Sequence, residues 1–102
     1  MSGKNVWEIF SEETPKVAEA WMNLSKEMNL EDALDQKTLC LIKVGIYATT
    51  RDYIALRHFI TEAFKAGASK KEIQAAALQA WGTGVSSAKM SIPLILAVEE
   101  AR

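Results

Sequence analysis

The sequence predicts an all-α protein. Apolar residues recur at steps of three and four over most of the chain, and no stretch alternates apolar and polar residues for long enough to favour a strand. The clearest signals lie between Arg51 and Gly82, where two helical stretches flank Gly67, a typical helix stop, and a capping box over Ser69–Glu72. We therefore predict about six helices built around a central antiparallel hairpin.

Length and charge narrow the class of protein. The chain has 102 residues, which predicts one domain over residues 1–102. A domain of this size buries only about 60–68% of the surface its unfolded chain exposes, so we expect it to self-associate. The net charge of −1 with mixed signs provides no field for nucleic acid or an anionic membrane.

Targeting signals and cysteine content predict a cytoplasmic protein. The longest apolar run, Ile92–Val98, has seven residues and a proline, whereas a membrane span needs about 20. The first residues show no basic region followed by an apolar one, so no signal peptide is expected. The single cysteine excludes an intrachain disulfide and suits a reducing compartment.

The first third of the chain predicts two helices. Trp7 and Phe10 share a face of a short helix, and Thr14 followed by Pro15 starts the second one. Apolar residues at steps of four, three and four in the second helix predict a core stripe: Val17, Trp21, Leu24 and Met28.

The third helix is predicted to be central and buried. Asp35 is its N-cap, Thr49 and Thr50 end it and cap the next helix, and residues 39–48 are apolar almost all round. Its one charge, Lys43, falls on the same arc as three other polar or sulfur-bearing residues: Gln36, Cys40 and Tyr47.

The remaining helices follow the same reasoning. On the fourth helix, Phe59 and Asp52 lie within the apolar arc, and His58 lies outside it.

The fifth helix is rich in alanine and is closed by Trp81. Small residues over 82–88 predict a tight crossing into a last helix, which Pro93 kinks or divides. That last helix is too apolar to lie free on a surface.

Two segments in this order carry a family resemblance: Leu34–Thr38 (LDQKT) and Ala66–Ile73 (AGASKKEI). From Leu34 to Val98 the chain resembles the carboxymuconolactone decarboxylase and alkylhydroperoxidase-D-like (AhpD-like) family. The resemblance implies a small helical protomer that assembles into trimers or hexamers, with any active site near the central helices and a subunit interface.

The resemblance also implies which chemistry is missing. The peroxidase branch uses Cys-x-x-Cys-x-x-x-His with a glutamate twelve residues before the first cysteine. Counted from the Ala66–Gly67 turn, those positions hold Asp52, Ala55, Phe59 and Cys40, so a dithiol peroxidase mechanism is disfavoured. The decarboxylase branch keeps a histidine where this chain has Phe59, and only a local bulge in the helix would bring His58 to that place.

Seven residues are the candidates for a site. The catalytic candidates are His58, Asp52 and Cys40, and the substrate-binding candidates are Lys43, Tyr47, Phe59 and Trp81. Each also has a structural interpretation: His58 pairs with Glu62 one turn on, Cys40 is a small buried hydrophobe, Lys43 forms an ion pair with Asp52 or extends to water, and the aromatic residues belong to the core.

Two function classes are therefore open. In the first, the protein is a cofactor-free lyase of the decarboxylase type that acts on a small organic acid. Lys43 then holds a carboxylate, and Asp52 or His58 handles the proton. In the second, the protein is a non-catalytic binding or scaffold homo-oligomer. A concave, partly polar cavity at Cys40 and Asp52 favours the enzyme, and a core closed by Phe59 and Trp81 counts against it.

Overall fold

The computed structural model describes residues 3–102, and every secondary-structure element in that range is a helix. The α-helices are α1 (Val6–Glu13), α2 (Pro15–Glu27), α3 (Gln36–Thr50), α4 (Tyr53–Lys65), α5 (Lys70–Leu78) and α6 (Gly82–Ala101), with short 3-10 turns at Leu30–Asp32 and Gln79–Trp81. The all-α prediction is confirmed. The chain divides into two compact units, Met1–Leu34 and Asp35–Arg102, and the prediction of a single domain stays a prediction.

The first unit is the α1–α2 hairpin. Asn5 caps α1 by accepting a hydrogen bond from the Glu8 N–H at 2.8 Å. The Thr14 hydroxyl donates to the Phe10 carbonyl at 2.8 Å, so it finishes α1 instead of capping α2. The buried residue of α2 is Ala18. The predicted core stripe on α2 is wrong for the single chain, since its members are exposed: Val17, Trp21, Leu24 and Met28.

In the second unit, side-chain caps set where the helices begin. Asp35 accepts from the Thr38 N–H at 2.7 Å, as predicted. Arg51 ends α3 in the left-handed region at φ 60°, and Asp52 then caps α4 by accepting from the Ala55 N–H at 3.1 Å. The prediction that threonine caps α4 is therefore wrong, because α3 continues through Thr50.

The turn between α4 and α5 follows the sequence closely. Gly67 has a φ of +94°, and its N–H donates to the Phe64 carbonyl at 3.0 Å. Ser69 and Glu72 then form both bonds of the capping box, at 2.8 and 3.1 Å. Gly67 needs the positive φ that glycine adopts without strain, so this turn is specified locally.

The core of the second unit lies where α3 packs on α4 and α5. Its buried residues are small or medium in size: Cys40, Val44, Ala63, Ala68 and Ile73. Gly45 allows close approach to α5, because a Cβ there would lie 3.3 Å from the Ala76 carbonyl oxygen. The other side of α3 exposes Ile42 and Ile46. The helix predicted to be central and buried therefore lies at the core of this unit but is covered on one side only in the single chain.

Helix α6 follows the 3-10 turn without a break. It runs through Pro93 as one α-helix, so the predicted division near Ile92 does not occur. Among residues 3–102, no atom beyond the adjoining helix backbone lies within 4 Å of a Cβ built on Gly82 or Gly84, so the tight crossing expected there is not formed within the described part of the chain. The large apolar side chains of α6 stay 55–67% exposed.

Candidate functional site

Phe59 brings together most of the predicted site. Its ring stacks on Tyr47 with centroids 5.5 Å apart and planes only 5° from parallel. The Lys43 ammonium lies 4.8 Å from the centroid of the same ring, and the His58 imidazole meets it edge-on at 4.8 Å. Lys43 and Tyr47 are one turn apart on α3, so both reach the α4 residue opposite them. We call Lys43, Tyr47, His58 and Phe59 the Phe59 cluster.

The positive charge of Lys43 has no carboxylate partner among residues 3–102. Lys43 is half-buried and forms no ion pair with any residue in the range 3–102. The expected Lys43–Asp52 pair is absent, because the Asp52 carboxylate caps α4. Lys43 is instead stabilised by the face of the Phe59 ring, which leaves its ammonium available to a bound anion.

The register of α4 matches the sequence prediction. Phe59 is half-buried and packs against the core, whereas His58 is exposed. Helix α4 is a regular α-helix over its whole length, so no bulge brings His58 to the interior. The expected His58–Glu62 pair is absent, since Glu62 pairs with Lys65 at 3.5 Å. An exposed imidazole next to Phe59 can exchange protons with solvent directly.

Cys40 belongs to the core. Its residue is only 1% exposed, and the Gln36 side-chain amide donates to its sulfur at 3.5 Å. The chain has no second cysteine, so no disulfide can form within a protomer. The position therefore matches the structural interpretation of a small buried hydrophobe better than that of a reactive thiol.

Trp81 lies outside the Phe59 cluster. It is 82% exposed and lines a depression of about 310 Å³ with residues from the end of α3 and the start of α6. Polar side chains of this depression were missed by sequence reasoning: Thr49, Arg51 and Thr83. Only the left-handed turn at Arg51 places them together, and an arginine at φ 60° is not readable from sequence. A second, shallow depression of about 470 Å³ follows the outer face of α4 and includes His58.

The cavity expected at Cys40 and Asp52 does not match either depression, since neither residue lines one. The alternative expectation, a core closed by Phe59 and Trp81, is also wrong, because Trp81 faces solvent. Within residues 3–102 no group of three acidic, histidine or cysteine side chains is placed to hold a metal ion. In the same range, no helix combines the length and apolar character that crossing a bilayer requires.

Two acidic groups of the second unit, Glu72 and Asp35, have shifted pKa values, and both accept a hydrogen bond at a helix start. The pKa of Glu72 is lowered, first by the hydrogen bond from the Lys37 side chain and then by the Ser69 N–H. The Lys37 ammonium lies 2.7 Å from the Glu72 carboxylate and so links the starts of α3 and α5. The pKa of Asp35 is lowered chiefly by the Thr38 N–H. The shift of Glu72 reflects its ion pair with Lys37 and then its place in the capping box, and the shift of Asp35 reflects helix capping.

A profile of the carboxymuconolactone decarboxylase family matches residues 15–92, which is most of the chain. The chain belongs to this family. The solved structures agree: a crystal structure of a protein from Methanobacterium thermoautotrophicum superposes with a TM-score of 0.77 at 29% identity, covering 87% of this chain and 97% of that one. No curated protein matches the chain. Within the family, this member carries a phenylalanine at the centre of its candidate site.

Proposed function

We propose that this carboxymuconolactone decarboxylase family member is a cofactor-free lyase that binds a small organic acid at the Phe59 cluster. The observation that carries the proposal is the Lys43 ammonium, which is half-buried and has no carboxylate partner in residues 3–102. A cation held in this way attracts a carboxylate, and the Tyr47 hydroxyl one turn away offers a hydrogen bond to the same ligand. A protein with one cysteine suits the reducing cytoplasm.

The chemistry assigns different tasks to the cation and the imidazole. Loss of CO₂ from an organic acid leaves an electron pair on carbon, and that carbon then takes up one proton. A cation beside the departing carboxylate would stabilise the substrate more than the transition state and slow the reaction. Lys43 therefore holds an acidic or carbonyl group that the product keeps, where negative charge develops. His58, exposed beside the ring, supplies the proton.

Replacing Lys43 tests the binding step. Lys43→Met keeps the aliphatic stem and removes the charge, so the affinity for small carboxylates should fall by about 10–100-fold, in line with losing a charged hydrogen bond. Lys43→Arg should keep most of the affinity. Binding is measured by calorimetry with a panel of mono- and dicarboxylates and carboxylated lactones, and turnover is followed by NMR as loss of substrate and release of bicarbonate.

The matched control is Lys71→Met, which removes a charge from an exposed lysine of α5. It should leave binding and turnover unchanged. Binding that is equally strong in the wild type and in Lys43→Met would place the ligand elsewhere and contradict the proposal. Turnover lost in His58→Gln, with binding kept, would separate the proton step from the binding step.

A second candidate is a non-catalytic homo-oligomer, as a trimer or a hexamer, and a specific observation favours it. Each unit leaves large apolar side chains exposed, among them Trp21, Ile46 and Leu94, and a chain with so small a core gains stability when a partner covers them. Self-association is compatible with either function. An assembled protein that binds none of the carboxylates would favour the scaffold role.

A further inference from the structure

The apolar side chains of α6 form two separate stripes. The first contains Val85, Ala88, Ile92, Ile95 and Leu96, and the second contains Met90, Leu94, Ala97, Val98 and Ala101. At 100° per residue the centres of the two stripes are about 160° apart around the helix. Steps of three, four and three in the first stripe are the spacing at which two helices pack along a seam. A helix with apolar stripes on opposite sides belongs between other elements.

Within the chain these stripes are uncovered. The seven large apolar residues of α6 are 55–67% exposed, and the helix begins directly after the Gln79–Trp81 turn that it contacts. A partner that covers such a surface is favoured, because burying one aliphatic side chain contributes about 1.5–3 kcal/mol to the free energy of association in general. The question is which partner the stripes fit.

The charges beside the first stripe point to a second copy of the same helix. Lys89 borders the stripe near its start, and Glu99 lies on it near its end. Neither forms an ion pair with any residue in the range 3–102. Two copies side by side in parallel would place lysine against lysine and glutamate against glutamate. Two antiparallel copies place each Lys89 opposite a Glu99, which is the self-complementarity that a two-fold interface requires.

We propose that the first stripe of α6 pairs with the first stripe of α6 from a second copy in antiparallel orientation. The two-fold axis passes between the two helices at the height of residue 94. With this axis, Lys89 is level with Glu99 of the second copy, and Ile92 is level with its Leu96. The contact is thus apolar in the middle and reciprocally charged at both ends. The pairing specifies the surface for the self-association proposed above, and it does not depend on the chemistry proposed for Lys43.

The size of this contact sets its expected strength. Val85 lies beyond the overlap of the two helices, so three large side chains per copy, Ile92, Ile95 and Leu96, bury on the order of 200 Å² on each side, well below the roughly 800 Å² of a standard interface. The helix pair by itself is therefore too small for a stable dimer, and it adds to the other contacts of an assembly. In a larger assembly it would serve as the two-fold contact that joins other interfaces.

Charge exchange tests the pairing in the full chain. Lys89→Glu alone and Glu99→Lys alone each place like charges opposite one another twice per dimer, so each should weaken self-association on the order of tenfold. The double variant Lys89→Glu/Glu99→Lys restores opposite charges and should return to within about twofold of the wild type. Sedimentation velocity from about 1 to 200 μM measures the association, and circular dichroism checks that the helices persist.

The control is Lys71→Glu, which makes the same change of charge on α5 and should leave association unaltered. A double variant no better assembled than the singles overturns the antiparallel pairing, and so do singles that assemble like the wild type. A wild-type chain that stays monomeric up to about 200 μM also overturns the pairing, since the stripe would then be a surface for a different protein and not for a second copy.

Cross-linking decides the orientation independently. In the proposed dimer the two copies of residue 95 are offset by about 3 Å along the helix axis, and the two copies of residue 85 by about 27 Å. Ile95→Cys should therefore form a disulfide between copies on mild oxidation, and Val85→Cys should not. Links at both positions would show a parallel pair, and links at neither would show another surface. Both results contradict the proposal. The buried Cys40 is present in both variants and provides a common background.

Discussion

At the scale of single residues, local hydrogen bonds place the charged side chains. Asp35, Asp52 and Glu72 each accept a hydrogen bond from a backbone N–H at a helix start. The capping roles of Asp35 and Glu72 were predicted from sequence, and the role of Asp52 corrects the threonine cap expected for α4. Lys43 follows a different rule. Its nearest expected partner is occupied by a cap, so the ammonium rests on the face of Phe59.

Glu72 predicts a pH dependence of stability. Its pKa in the folded protein lies below the ordinary value of 4.5 because Lys37 and the Ser69 N–H stabilise the ionised form. A depressed folded pKa contributes stability that is present above pH 4.5 and lost as the pH falls through the folded value. Glu72→Gln should therefore lower the melting temperature by about 1–2 °C at pH 7 and have little effect near pH 2.

The measurement is thermal unfolding followed by circular dichroism across that pH range. Glu19→Gln, at an exposed glutamate of α2 without an ion pair in residues 3–102, is the control and should follow the wild type. A Glu72→Gln difference that is constant from pH 2 to 7 would mean that the Lys37 pair adds nothing and that only the cap matters.

At the scale of elements, turns with special backbone angles decide where helices stop. Gly67 ends α4 at a φ of +94°, whereas Gly82 sits in a helical conformation at φ −60° at the start of α6. Neither has a neighbouring atom within 4 Å of an added Cβ. Substituting alanine for either glycine therefore measures the effect of backbone conformation on stability without a change in packing.

Alanine at these two positions should have opposite effects. Gly67→Ala forces a residue with a Cβ into the left-handed region and should destabilise the protein by about 1–2 kcal/mol. Gly82→Ala should be neutral or stabilise by up to about 1 kcal/mol, because alanine favours the helix. Urea titration gives both free energies of unfolding. Equal effects of the two substitutions would contradict the assignment of Gly67 as the stop of α4.

At the scale of the whole molecule, exposed apolar surface dominates. The buried core of the second unit contains one isoleucine, one valine, one cysteine and two alanines, while larger side chains on α3 and α6 face solvent. If self-association covers that surface, the melting temperature should rise with protein concentration, because a partner that binds only the folded chain stabilises it by mass action.

Differential scanning calorimetry over a hundredfold range of concentration would measure this shift, which should be several degrees for a domain of this size. The charge variant Lys89→Glu should show a smaller shift than the wild type, and Lys71→Glu the same shift. A melting temperature independent of concentration in the wild type would show that the chain is stable as a protomer.

The Asp35 cap, the capping box at Ser69–Glu72, the Gly67 turn and the inward register of Phe59 were predictable from sequence, because each depends on interactions within about four residues or on the helical period. The threonine caps expected for α2 and α4 were not found, since Thr14 bonds back to α1 and Asp52 caps α4. The absence of the family's cysteine pair was predictable as well, since it needs only counting. These features determine the all-α class and exclude a dithiol mechanism within a protomer.

Only the tertiary structure decided what touches Phe59 and which apolar helix faces the chain leaves exposed. Lys43 lies over an aromatic face and not beside Asp52, whose carboxylate accepts a hydrogen bond from the Ala55 N–H at the start of α4. Trp81 faces solvent because the 3-10 turn carries it away from the core. Periodicity marks an apolar face without saying whether the chain or a second copy buries it, because hydrophobic burial has no direction and counts only the area removed from water.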